Sequence, residues 1–124
     1  MNVTYISENK GGKGMEIFNI KNALDCSIPI EYTAHCQKRM QERDISRADV
    51  RHCIYNGEII EDYPLNDGNS SEKSLPSCLI LGKDVAQERI LHVVVGYNEK
   101  RMLIISACFP DASRWYDDYK TRRR

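Results

Sequence analysis

The feature that most narrows what this chain can fold into is a change of hydrophobic period at Gly57. Before it, apolar residues recur at helical spacing; after it, they gather into short β-branched runs. From Ser46, the positions Val50, Cys53 and Ile54 follow i, i+3, i+4. Ser46 with Asp49 has the form of a capping box, and Gly57 stands where a left-handed residue closes a helix. Upstream, Thr33 is placed to cap a helix over Ala34 to Arg43, with Ala34, Cys36 and Met40 as its apolar candidates. After Gly57 the runs Glu58–Tyr63, Ser77–Leu81, Arg89–Val95 and Met102–Ala107 have strand length and strand composition. They are joined by a breaker-rich loop, Pro64 to Ser71, and by turn sequences such as Tyr97-Asn98-Glu99-Lys100, which leave no room for helical crossovers. The pattern predicts an α+β fold: two N-terminal helices on one face of an antiparallel sheet of four or more strands.

At 124 residues the chain has enough material for one core. Its 41% hydrophobic and 29% charged residues argue against a disordered chain, collagen or a coiled coil. The balance of 18 Lys and Arg against 18 Asp and Glu excludes a broadly basic nucleic-acid-coating protein, so any anionic partner must meet a local patch. No apolar stretch approaches the ~18 residues of a membrane helix. Five cysteines stand singly, without a C-x-x-C pair, and the start Met1-Asn2-Val3-Thr4 does not read as a secretory leader. Reduced core thiols in a cytoplasmic protein are expected.

Residues 1–30 read as an extension, with Val3–Ile6 and Met15–Ile20 as the arms of a hairpin around Asn9 to Gly14. The Lys-Gly-Gly-Lys-Gly string there reads as a turn rather than a phosphate-cradling loop, because the Lys-Ser/Thr pair is missing: Met15 follows Gly14. Residues 31–118 form the expected domain. The segment from Asp111 is expected as a short helix or extended piece anchored by Trp115, and residues 119–124 as a basic tail.

Two features carry possible chemistry. His35, Arg39 and Arg43 are spaced i, i+4, i+8, which turns only ~80° about a helix axis and places all three on one face. Three cationic donors at ~6 Å intervals suit a phosphodiester backbone. An arbitrary helix would also carry them as a solvated face, the arginines paired with Glu31, Glu42 or Asp44. His92 lies within Ile90-Leu91-His92-Val93-Val94-Val95, on the face of Ile90 and Val94 and opposite Leu91, Val93 and Val95. A histidine there either exchanges protons or is a satisfied structural group. His52 falls on the polar side of its helix and is assigned no role. Three histidines without H-x-x-x-H or H-x-x-E-H spacing, and no G-x-S-x-G elbow, suggest chemistry without metal or other cofactor: proton transfer with cationic stabilisation.

The run Tyr32 to Ser46 resembles the H-x-x-x-R-M-x-x-R-x-I-S opening of the bacterial domain of unknown function 4258. Asn56 to Pro64, Ser77 to Gly82, Leu91 to Val94 and Ile104 to Asp111 are similar to that family's successive strands. The likeness covers about residues 31 to 118. It implies a RelE-like/barnase-like scaffold of small RNA-cleaving toxins, and it carries over His35, Arg39, Arg43 and His92. Cys108 stands where that likeness leads one to expect a tyrosine. The first 30 residues have no counterpart in it.

The expected function is therefore that of a small, metal-independent, toxin-type endoribonuclease. His35 and His92 are its proton-transfer candidates and Arg39 and Arg43 hold the phosphate. Tyr116, Arg122, Arg123 and Arg124 would extend the contact with RNA, free or on the ribosome. The resemblance further implies an antitoxin or immunity partner. The rival is a non-catalytic module that uses the same basic groove for nucleic acid or protein, which net neutrality and the acidic stretch Glu58, Glu61, Asp62 and Asp67 favour.

Overall fold

The computed structural model describes residues 17–25, 28–63, 75–98 and 101–123. In chain order they form α1 (Ile17–Asp25), β1 (Ile30–Tyr32), α2 (Ala34–Arg43), α3 (Arg47–Asn56), β2 (Glu58–Tyr63), β3 (Ser77–Lys83), β4 (Ile90–Asn98) and β5 (Arg101–Cys108). The architecture is α+β, with three helices and one five-stranded sheet ordered β1-β5-β4-β3-β2 among the described residues.

The two expected helices start where their caps predict. The Thr33 side chain accepts from the Cys36 N–H, and Ser46 and Asp49 form a reciprocal capping box. Helix α2 stops after Arg43 as expected, with Asp44 in the left-handed conformation (φ 57°) that ends it. The close of α3 differs from expectation. Gly57 ends α3 in extended backbone (φ −98°). A glycine is needed there because a Cβ would collide with the backbone carbonyls of Cys53 and Leu81.

Strands β2 to β5 form the expected antiparallel meander, in register Glu58↔Leu81, Ile80↔Val93 and Val93↔Ala107. The sheet is nevertheless mixed, because β1 joins the edge of β5 in parallel, Ile30↔Met102 to Tyr32↔Ile104. Three residues beside Pro29 are too few to show a period, so no strand is legible there from sequence. The hairpin expected before them lies outside the described residues over 1–16, and its second arm enters α1. There Ile20, Ala23 and Leu24 are buried at helical, not strand, spacing. The loop Pro64 to Ser71 lies outside the described residues.

Alternation divides the sheet into two faces. Cys78, Ile80, Leu91, Val93, Val95, Met102, Ile104 and Ala107 join Cys36, Met40, Val50, Cys53 and Ile54 of the helices in the main core. Helix α2 packs on β5, α3 on β3, and α1 on α3. Of the cysteines expected in the core, Cys36, Cys53 and Cys78 are buried and Cys108 half-buried. The opposite face carries Leu79 and His92, and the C-terminal segment folds over it with Trp115 buried. That segment is a series of turns closed by a Trp115↔Arg122 bridge, rather than a helix.

Candidate functional site

The side chains of possible chemical use lie in three places: the outer face of α2, the corner where α2 meets the β3–β4 turn, and the back of the sheet. The first follows from capping. Thr33 fixes where α2 begins and also donates to the Ile105 carbonyl (3.1 Å), while Cys36 and Met40 anchor the inner face. The helical period then leaves His35 and Arg39 exposed and Arg43 half-exposed. Arg39 pairs with Glu42 at 3.2 Å, both side chains nearly half exposed, a pair of small energetic weight that a phosphate can displace. Glu31 pairs instead with Arg101.

At the corner, Arg89 is tied on all sides. Its Nε donates to Asp84 Oδ2 (2.7 Å) and its Nη2 to Asp49 Oδ2 (3.3 Å) and the Asp44 carbonyl (3.1 Å). Its Nη1 reaches the Arg43 carbonyl (3.4 Å). Asp84 is buried and also accepts from the Glu88 and Arg89 N–H groups. The Arg89 side chain and these donors hold its carboxyl down at about 2. Burial works against ionisation of Asp49. The Ser46 and Val85 N–H groups, the Ser46 hydroxyl and Arg89 outweigh it, and its carboxyl stays below the usual range. The Arg89 guanidinium lies over the Phe109 ring, 5.3 Å from its centroid. Burial pushes the Cys108 thiol up, against a weaker downward pull from Arg43 at the end of the α2 stripe.

On the back of the sheet His92 is 3% exposed. Its Nε2 lies 2.9 Å from the Tyr119 carbonyl, and its ring meets Trp115 edge-on at 4.6 Å. Burial pushes its pKa down, against opposing effects of the Tyr119 carbonyl and Glu61. The Glu61 carboxylate receives both Arg122 Nε (2.6 Å) and Nη2 (2.9 Å), together with the Tyr63 hydroxyl. Those bonds hold Glu61 below its usual range despite burial. Arg122 also lies over Trp115 at 4.6 Å, and Lys120 pairs with Glu58 at 3.0 Å. This is the geometry of a structural histidine under a strapped C-terminal segment, one of the two alternatives the sequence left open.

The residues expected to act together are thus distributed over distinct surroundings. His35, Arg39 and Arg43 share the α2 face, while His92 is occupied beneath Trp115. Of the substrate-binding candidates, Arg122 is engaged by Glu61. Arg123 donates to the Ala112 and Trp115 carbonyls and stacks on Tyr116, which is 44% exposed. Arg124 lies outside the described residues. Sequence reasoning missed Arg89, Asp84, Asp49 and Phe109 as a unit. The signal present was the acidic and basic pair at positions 84 and 89 flanking a turn between two strands. Among the described residues no three His, Cys, Asp or Glu side chains gather as a metal-holding group, and no helix is long and apolar enough to cross a membrane.

A family model described as Domain of unknown function (DUF4258) matches residues 32–109, which contain α2, α3 and the four-strand meander. No curated protein and no solved structure matches the chain.

Proposed function

The chain belongs to the DUF4258 family, a membership that prescribes no reaction, and we propose from its own residues that it is a small toxin-type, metal-independent RNA-cleaving domain of RelE-like/barnase-like kind. The observation that carries this reading is the α2 face, where His35, Arg39 and Arg43 stand in line with their side chains turned to solvent or only half covered. A phosphodiester laid along it meets forked donors from Arg39 and Arg43. His35 then takes the proton of the 2′-hydroxyl as that oxygen attacks phosphorus, and its imidazolium returns a proton to the departing 5′-oxygen. The arginines neutralise the charge that gathers on the phosphorane oxygens. His92 takes no direct part while Trp115 and Tyr119 cover it. The partner in this reading is RNA, free or on the ribosome, in the cytoplasm, with a protein antitoxin or immunity protein as restraint.

A second reading keeps the same face as a non-catalytic nucleic-acid- or protein-binding module. Burial of His92 favours it, since a two-histidine acid–base pair is then lacking. Incubating the purified chain with single-stranded RNA in chelator separates the two. The catalytic reading expects fragments, reduced ~10²- to 10⁴-fold in His35→Ala with binding retained. It also expects Arg39→Ala to weaken binding and to reduce the salt slope by about 0.7. Binding without fragments selects the module, and neither binding nor fragments refutes both nucleic-acid readings.

A further inference from the structure

Phe109 is 39% exposed, although it directly follows a strand and sits beside the main body. Single exposed apolar side chains are common and need no function. Phe109 differs in what holds it. The guanidinium over its ring cannot swing away, because Arg89 is fixed by Asp84, Asp49 and the carbonyls of Arg43 and Asp44. Pro110, next in the chain, restricts the backbone on the other side. The ring is therefore partly open to solvent and set against a guanidinium that is itself fixed, and an aromatic surface supported in that way loses less freedom when a ligand stacks on it.

Its location gives the ligand class. The guanidinium that stacks on Phe109 also donates to the carbonyl of Arg43, the last residue of the cationic α2 stripe. Arg89 is already neutralised by two carboxylates, so it is a poor phosphate ligand and acts instead as the support of the ring. A row of cationic side chains with a partly exposed aromatic ring near its Arg43 end, joined to it through Arg89, matches the make-up of single-stranded nucleic acid, charged along its backbone and flat at each base.

We infer that Phe109 is a base-stacking platform, on which an unpaired base of a single-stranded RNA lies while the strand's phosphates follow Arg39 and Arg43. The inference rests on the RNA reading above and narrows its substrate class, because a base within a duplex has no free face to offer the ring. Stacking is tolerant of base identity, so the platform sets strandedness rather than sequence.

The test compares an eight-nucleotide adenine RNA, 2′-O-methylated to prevent cleavage, with a strand of equal length and charge that lacks bases, by fluorescence anisotropy. The wild-type chain is expected to bind the base-bearing strand roughly five- to a hundredfold more tightly. Phe109→Ala should abolish that preference and leave affinity for the abasic strand unchanged; Phe109→Trp should keep it, and Phe109→Leu should lose most of it. Arg39→Ala should weaken both strands alike. Unchanged circular dichroism and melting of Phe109→Ala, expected for a partly exposed side chain, confirm that folding is not the cause. Equal wild-type binding of the two strands, a preference that survives in Phe109→Ala, or tighter binding of a duplex overturns the platform while the RNA reading stands. Binding of neither strand overturns both.

Discussion

Gly82 sits in β3 opposite Leu91, where α3 crosses the sheet. An added Cβ there would lie 2.5 Å from the Cys53 carbonyl oxygen, 2.8 Å from its sulfur and 3.0 Å from its Cα. Ordinary contact begins near ~3.5 Å, so Gly82→Ala demands close to ~1 Å of separation between strand and helix. Two of the three obstructing atoms are backbone, and no rotamer change relieves them. Overpacking of this kind costs about 2 to 3 kcal/mol, from which the stiffer unfolded chain of an alanine variant returns ~0.4 to 1 kcal/mol. A net destabilisation of about 1 to 2.6 kcal/mol follows, or roughly 4 to 10 °C in Tm for a domain of this size. Gly96→Ala is the internal control. Its nearest neighbours would be the Leu75 Cβ at 3.3 Å, which need yield only a few tenths of an ångström, and the Leu75 and Ile105 Cδ1 methyls at 3.4 Å, which can rotate. Its stability should stay within ~0.5 kcal/mol of the parent. Urea unfolding followed by circular dichroism measures both variants. Equal stability of Gly82→Ala and Gly96→Ala would refute the claim that β3 and α3 meet at backbone distance.

The C-terminal strap should detach when its ion pair is removed: Arg122→Ala or Glu61→Gln is expected to shift Trp115 emission to the red, and unchanged emission would show that the pair is dispensable. Because burial sets the folded pKa of His92 below its ordinary 6.5, the unfolded chain binds more protons below that pH. Stability should therefore decline as pH falls from about 6.5 toward the folded value, with a shallower decline in His92→Gln, and parallel profiles would contradict this. Burial pushes the Cys53 and Cys78 thiols up to about 12, so at pH 8 both should resist iodoacetamide in the native chain and react after unfolding. Native labelling of Cys53 at the unfolded rate would place it outside the core.

What sequence by itself determined here is what depends on neighbours in the chain. Thr33 and Ser46 act on N–H groups three residues away, so both helix starts could be read directly. The alternation in Ile90 to Val95 assigned His92 and Leu91 to opposite faces before any packing was known. The α2 stripe was equally legible, since it needs only 3.6 residues per turn.

Tertiary structure decided what depends on distant contacts. The need for a glycine at position 57 turns on how closely the Leu81 carbonyl approaches the end of α3, and Leu81 lies 24 positions away. The three residues of β1 become a strand only because Met102 to Ile104 offers an edge to pair with. The same holds for the candidate site. His92 is a proton-exchanging or a structural group according to what covers the back of the sheet, and that cover is Trp115 and Tyr119, more than 20 residues on. Arg89, and through it Phe109, acquires meaning from Asp49 and Arg43, 40 and 46 residues before Arg89. Local periodicity reports which way a side chain points, while its partner is fixed only when loop closure and core burial bring remote segments together.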